Sequence, residues 1–217
     1  MVTHSNHLPK DGEDNLNFIL ATTNKAKVTE IKGVFGEGHT VRTLADIGFS
    51  EEIKEDGSTF EENAVIKVKA IQRHLNHANE KYDYILADDS GLSIDALNGK
   101  PGVQSAFWMG LDTPYDVRNI KALKLLKDVP EERRGACFTT VIACAFADGA
   151  IHTTEGILKG RIAFEPAGVC GFGYDPIFFI PNLNRTLAQL SKEEKNQVSH
   201  RAIALRRMCN LLGVDLK

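Results

Sequence analysis

The sequence predicts an α/β protein: a mixed twisted sheet with flanking helices, in two lobes around a central cleft. Three observations predict it. Strand-like and helix-like segments alternate from Leu16 to Leu126, which calls for crossover connections. Two long strand-like runs then face each other across Asp148-Gly149, a good hairpin turn. No linker, internal repeat or low-complexity tract divides the 217 residues, a length that suits one large domain.

Met1 to Asn15 is polar, lacks the apolar region of a signal peptide, and reads as a disordered leader; residues 16–217 form the folded domain. Leu16 to Thr22 is a buried strand, and Lys25 to Phe35 a helix ended by Gly36. His39 to Leu44 is a short strand. Ser58 opens a long helix to about His77, with Ser58 and Glu61 placed as a capping box and Phe60, Ala64, Val68, Ile71 and Leu75 as its apolar stripe. Tyr82 to Ala87 is a strand. The next helix has Thr113 as N-cap and Pro114 at its first position, and it runs to about Leu126. Ala136 to Ala147 and Ala150 to Phe164 are the hairpin strands. Ser199 caps the last helix, where Ala202, Ile203, Leu205, Met208, Leu211 and Leu212 fall at helical spacing.

Hydrophobic content of 42% and charged content of 25% are ordinary for a soluble globular protein. A net charge of -3 argues against a broad nucleic-acid footprint, and no apolar run approaches the ~20 residues of a membrane-spanning helix. The four cysteines, Cys137, Cys144, Cys170 and Cys209, form no CxxC pair and no zinc spacing. They read as buried free thiols, which suits a reducing cytoplasm.

Five clusters carry possible chemistry, each beside a plainer reading. Lys195, His200 and Arg201 gather at the start of the last helix, where the dipole disfavours cations by roughly 0.3–1 kcal/mol each. A polar, anionic ligand or a solvated basic turn would both account for them. Thr22-Thr23-Asn24-Lys25-Ala26-Lys27 lies at the carboxyl end of the first strand, where open α/β sheets bind ligands. Its hydroxyls, amide and lysines suit phosphate, and equally an ordinary capped helix start. No GxxxxGK[ST] loop occurs in the chain.

Asp88-Asp89-Ser90-Gly91 follows the strand Tyr82 to Ala87, and two carboxylates there would repel without a cation or proton between them. A divalent metal, a general base or a simple turn would each use them. On the helix from Ser58, Lys67 sits at the edge of the apolar stripe and needs an anionic partner or must snorkel. Glu62 lies about 200° round from Phe60, placed to join Asp89 in a metal site or to stay solvated. In Gly171-Phe172-Gly173-Tyr174-Asp175-Pro176, two aromatics could stack on a base or pack in the core.

Together and in this order, these motifs resemble the inosine triphosphate pyrophosphatase family. The matching residues are Thr22-Thr23-Asn24 with Lys27, Thr59 to Ala64, Asp88 to Leu92, Gly99 to Val103, Gly171 to Pro176 and Glu194 to Arg201. The resemblance implies a homodimer with a nucleotide-binding cleft between its lobes. It implies hydrolysis of ITP, dITP and XTP to the monophosphate and pyrophosphate with Mg²⁺. Thr22, Thr23, Asn24, Lys25, Ala26 and Lys27 would hold the triphosphate, assisted by Lys67. Glu62 and Asp89 would bind the metal, Asp89 would activate water, and Ser90 would contact substrate. Phe172, Gly173, Tyr174 and Asp175 would form the base pocket, completed by Lys195, His200 and Arg201, with His200 and Arg201 as donors to a 6-oxo edge. Two departures stand out: Gln104-Ser105-Ala106-Phe107 replaces the common Tyr-Ser-Ala-Arg, and Ala26 stands where glycine is frequent. A pyrophosphatase for pyrimidine or modified nucleotides, or a binding protein with weakened catalysis, are the alternatives.

Overall fold

A computed structural model describes residues 15–35, 38–110 and 112–214. The expected leader falls outside these residues except for Asn15, whose side chain accepts from Thr40 Oγ1 at 3.0 Å; Gly36, the expected helix stop, also falls outside. The described strands form one sheet of order β2-β1-β3-β4-β5-β6-β7. Parallel pairing joins β1 (Asn17–Leu20) to β2 (Thr40–Thr43) and to β3 (Tyr84–Ile94). The remaining ladders, through β4 (Gly135–Phe146), β5 (Ile151–Ile162), β6 (Phe178–Ile180) and β7 (Arg185–Thr186), are antiparallel. The mixed α/β architecture is therefore as expected.

Helices cover the sheet because each carries one apolar stripe. On one face, α1 (Lys25–Phe35) and α5 (His200–Leu212) pack Ile31, Phe35, Leu205 and Met208 on Phe18, Leu20 and Leu86. On the other, α2 (Phe60–Ala78) packs Ala64, Val68, Ile71 and Leu75 on Ile19, Ile85 and Ala87. A third cluster, with Leu92, Ile94, Phe138, Tyr174 and Phe178, lies under α3 (Tyr115–Leu125). The long strands β3 and β4 serve the clusters at both ends, and the polar residues Asp88 to Ser90 fall between them.

Five details differ from expectation. Thr59 caps α2, its Oγ1 accepting from Glu62 N at 3.1 Å, because Ser58 is engaged elsewhere: its N–H and Oγ donate to the Glu62 carboxylate at 2.6 and 2.7 Å. Pro114 takes the cap position of α3, while the Thr113 hydroxyl turns back to Met109 O at 2.6 Å. Strand β3 does not stop at Ala87 but runs through the two aspartates to Ile94, because its whole length pairs with β4. A short helix, α4 (Lys192–Val198), precedes α5, so Lys195 belongs to α4 while Ser199 caps α5 as expected, accepting from Ala202 N at 3.1 Å. Cys144 and Cys209 are buried and burial pushes the Cys209 thiol up to about 12, but Cys170 is exposed. No described helix is long and apolar enough to cross a membrane.

Candidate active site

Strand periodicity organises the site. Successive side chains point to opposite faces of a sheet, so Asp88 and Asp89 diverge and need no shared cation. Asp88 Oδ2 meets Lys27 Nζ of α1 at 3.0 Å and Arg201 Nη2 of α5 at 3.1 Å. Asp89, on the α2 face, meets Lys67 Nζ at 3.1 Å and Asn63 Nδ2 at 3.3 Å. Lys67 also donates to Glu55 at 2.8 Å, which supplies the anionic partner its place beside the apolar stripe requires.

The two carboxylates differ electrostatically. Burial alone would raise Asp88, but Lys27, Arg201 and Lys67 outweigh it and hold the group well below the usual carboxylate range. Burial raises Asp89 above that range, and Lys67 and Lys27 offset only part of it. Burial likewise lowers Lys27, with Asp88 offsetting part. For Lys67, burial is outweighed by Asp89, Asp88 and Glu55, so its ammonium is held above the ordinary lysine value.

A cavity of about 400 Å³ opens here, lined by Thr22, Thr23, Asn24, Lys27, Lys67, Asp89 and Ser90 on its polar side. The loop that contributes the first three residues is fixed by the start of α1. Asn24 Oδ1 caps it, accepting from Ala26 N at 3.0 Å and Lys27 N at 3.3 Å, and Asn24 N donates to Thr22 Oγ1 at 3.2 Å. Lys25 does not line the cavity, and Ala26 lines a second cavity of about 490 Å³ between α1 and α4. Phe172 lines both, and Glu30 and Lys195 line the second.

Behind these cavities is a buried ion network. Arg201 is paired with Asp88 and Glu30 and donates to Ser90 Oγ at 3.1 Å; Lys195 meets Glu30 at 2.7 Å and Asp175 at 2.5 Å. Both cations lie over the Phe172 ring, at 4.9 Å for Lys195 and 5.6 Å for Arg201. They are thus partnered and buried, not a solvated basic turn. Burial raises Asp175, with Lys195 offsetting part, and its Oδ2 also accepts from Phe172 N at 2.8 Å, so this carboxylate shapes the turn.

Several expected site residues stand apart from the cavities. His200 is 4% exposed, stacks on Phe138 at 4.5 Å, and leaves Nδ1 without a hydrogen-bond partner; burial, then Arg201 and Lys195, lower it well below the usual histidine value. Tyr174 is in the core, its hydroxyl donating to Ser105 O at 3.0 Å, and Gly173 offers its carbonyl to Asn119. Glu62 is exposed, its carboxylate spent on Ser58, and it does not line the cavity. Conversely, Glu30, Glu55, Asn63, Phe107 and Tyr115 enter the site without having been expected. Two were detectable: Glu30 lies three residues after Lys27 and Asn63 four before Lys67, each on its lysine's helix face. Glu55 lies in irregular backbone, where no periodicity announces it.

Among the described residues no group of three or more His, Cys, Asp or Glu is placed to hold a metal ion. The charge around Asp89 nevertheless suits a cation. Lys67 is shared by Asp89 and Glu55, leaving a negative excess, and Glu51 and Glu52 line the same cavity. Two carboxylates joined at one lysine, Asp89 and Glu55, fit Mg²⁺, which takes one or two carboxylates together with substrate phosphates.

A capped helix start, two lysines and an under-compensated carboxylate line one cavity of a mixed α/β protein, a set of groups that suits a phosphorylated ligand. Comparison with known proteins narrows the class: the chain belongs to the Ham1 family, whose sequence model matches residues 18–211. It is 45% identical over 196 residues to a dITP/XTP pyrophosphatase of Bacillus subtilis, covering 89% of this chain and 96% of that one. A dITP/XTP pyrophosphatase of Leuconostoc mesenteroides is 45% identical over 206 residues, covering 93% and 99%. Among solved structures, the Staphylococcus aureus Ham1 protein matches with a TM-score of 0.79 and 37% identity, covering 90% of this chain and 97% of its own. The HAM1 protein of Coxiella burnetii matches with a TM-score of 0.79 and 36% identity, covering 91% and 98%.

Proposed function

We propose that this chain hydrolyses non-standard purine nucleoside triphosphates (dITP, ITP and XTP) to the nucleoside monophosphate and pyrophosphate. The observation that carries this reading is Asp89: a buried carboxylate held above its ordinary range, in a cavity shared with Lys27, Lys67 and the Thr22–Asn24 loop. The relatives named as dITP/XTP pyrophosphatases supply the substrate class.

Hydrolysis of a phosphoanhydride is chiefly positioning and charge neutralisation. Thr22, Thr23, Asn24 and Lys27 bind the polyphosphate, and Lys67 neutralises charge on its oxygens. Asp89 accepts a proton from the water whose oxygen bonds to the α-phosphorus, as the α–β bridging bond breaks and pyrophosphate leaves. Asp89, with Glu55 beside it, would hold Mg²⁺, which would supply further neutralisation of phosphate charge. The base lies against Phe172, which lines both cavities, and Lys195 in the second is a donor for the 6-oxo group of hypoxanthine or xanthine that leaves the adenine amino group facing a donor. Asp175 acts from behind by fixing Lys195 and Phe172, and Arg201 by fixing Ser90.

The reading includes a homodimer, supported by the exposed apolar side chains Val117, Ile120 and Leu125 on α3, and a reducing cytoplasmic setting, supported by four free cysteines. Light scattering gives the first directly. The activity is tested by pyrophosphate release from ITP, XTP, GTP, dTTP and UTP with Mg²⁺. ITP and XTP should be the best substrates. Faster turnover of dTTP or UTP would replace the purine assignment, and no turnover of any would leave a binding protein.

A further inference from the structure

Phe107 is 41% exposed and has no ring partner among the described residues, yet it lines the cavity that contains Lys27, Lys67 and Asp89. An exposed aromatic on a loose loop would mean little. Phe107 stands on a fixed platform. The buried Arg118 donates to Ser105 O at 3.2 Å, Ala106 O at 2.6 Å and Gly110 O at 2.8 Å, clamping the backbone on both sides of it. Ser105 is tied again, its carbonyl accepting from Tyr174 Oη at 3.0 Å and its Oγ from Leu92 N at 2.9 Å.

Tyr115, 37% exposed, lines the same cavity and is similarly held. Its ring meets Tyr174 edge-on at 5.3 Å and lies 4.8 Å under the Arg118 guanidinium. With Val103 and Ala106, these side chains make an uncharged, largely apolar stretch of wall in a cleft whose cationic groups, Lys27 and Lys67, sit with Asp89. A phenyl ring offers polyphosphate nothing, while it offers a flat apolar surface to a nucleoside.

We propose that Phe107, supported by Tyr115, is a specificity-determining contact for the nucleoside part of the substrate and not for its phosphates. This rests on the pyrophosphatase reading. The test compares binding of the α,β-methylene analogue of ITP, which cannot be cleaved, with binding of inorganic tripolyphosphate, both by calorimetry with Mg²⁺. Loss of an aromatic stack typically weakens binding by about tenfold. Phe107→Ala should therefore weaken the analogue about tenfold and leave tripolyphosphate unchanged, while Phe107→Tyr, which keeps the ring, should bind both as the parent does. Equal weakening of both ligands in Phe107→Ala, or of neither, would overturn the assignment. So would a parent that binds the analogue no more tightly than tripolyphosphate. Turnover of ITP by the parent is a separate measurement: its absence removes the pyrophosphatase reading, whereas the binding comparison still decides the role of Phe107.

Discussion

Asp88 and Asp89 are adjacent in sequence, yet replacing each by asparagine should give opposite results. Asp88 is 1% exposed and its Oδ2 receives Lys27 and Arg201, joining β3 to α1 and α5. Removing one member of a buried ion pair costs about 3–5 kcal/mol, because the partner charges stay behind. The lower end applies here: Arg201 keeps Glu30, and the Lys27 side chain, 15% exposed, can turn toward water. For a chain of this length, each kcal/mol lowers the melting temperature by about 2–4 °C, so Asp88→Asn should melt about 6–12 °C below the parent. Asp89 lacks that compensation, since burial raises it despite Lys67 and Lys27. Its charged form is the strained one, and Lys67 retains Glu55 when it is gone. Asp89→Asn should therefore melt within about 3 °C of the parent, a change under about 1 kcal/mol, while pyrophosphate release from ITP falls at least about a hundredfold. Thermal melts and ITP turnover on both variants decide the matter. If Asp89→Asn melts as low as Asp88→Asn, or Asp88→Asn melts with the parent, the division of labour between the two faces of β3 is wrong.

Three further outcomes are expected. His200 is buried and its folded value lies well below 6.5, so under acid the unfolded chain takes up a proton that the folded chain refuses. Stability should then fall as pH drops below about 6.5, by up to about 1.4 kcal/mol per pH unit, and denaturant melts of His200→Gln should lose that part of the slope. A Cβ on Gly91 would collide with Gly102 O and Ser105 Oγ and come within 2.9 Å of Phe60 Cε1, so Gly91→Ala should lose about 1–3 kcal/mol in urea unfolding. Chelation should abolish ITP turnover and added Mg²⁺ restore it; turnover surviving in chelator would remove the metal from the reading.

Where the sequence was legible, a local rule sufficed. The apolar stripe of α2, the Asp148-Gly149 hairpin and the Ser199 cap each depend on residues within one turn or one ladder, and the structure has all three. Lys67 was half readable: a lysine at the margin of an apolar stripe finds an anionic partner or snorkels, and here it finds Asp89 and Glu55. What escaped was the pairing partner across the sheet. Nothing near Asp88 indicates that β4 continues alongside it to Ala136, and without that ladder the strand reads as ending where the charges begin. Stopping the strand at Ala87 made neighbours of two aspartates that the pleat in fact sends to opposite faces. The same omission explains Arg201 and His200. At the start of a helix both read as groups presented to a ligand, because the acids that neutralise Arg201, Glu30 and Asp88, lie 171 and 113 residues away in sequence. His200 meets Phe138 from β4, a contact visible only once the sheet and α5 are assembled. A basic cluster that breaks the helix-dipole rule was therefore a sound sign of a buried polar network, but the charge in that network is chiefly internal. What the network leaves lining both cavities is the ring of Phe172, with Lys195 over it.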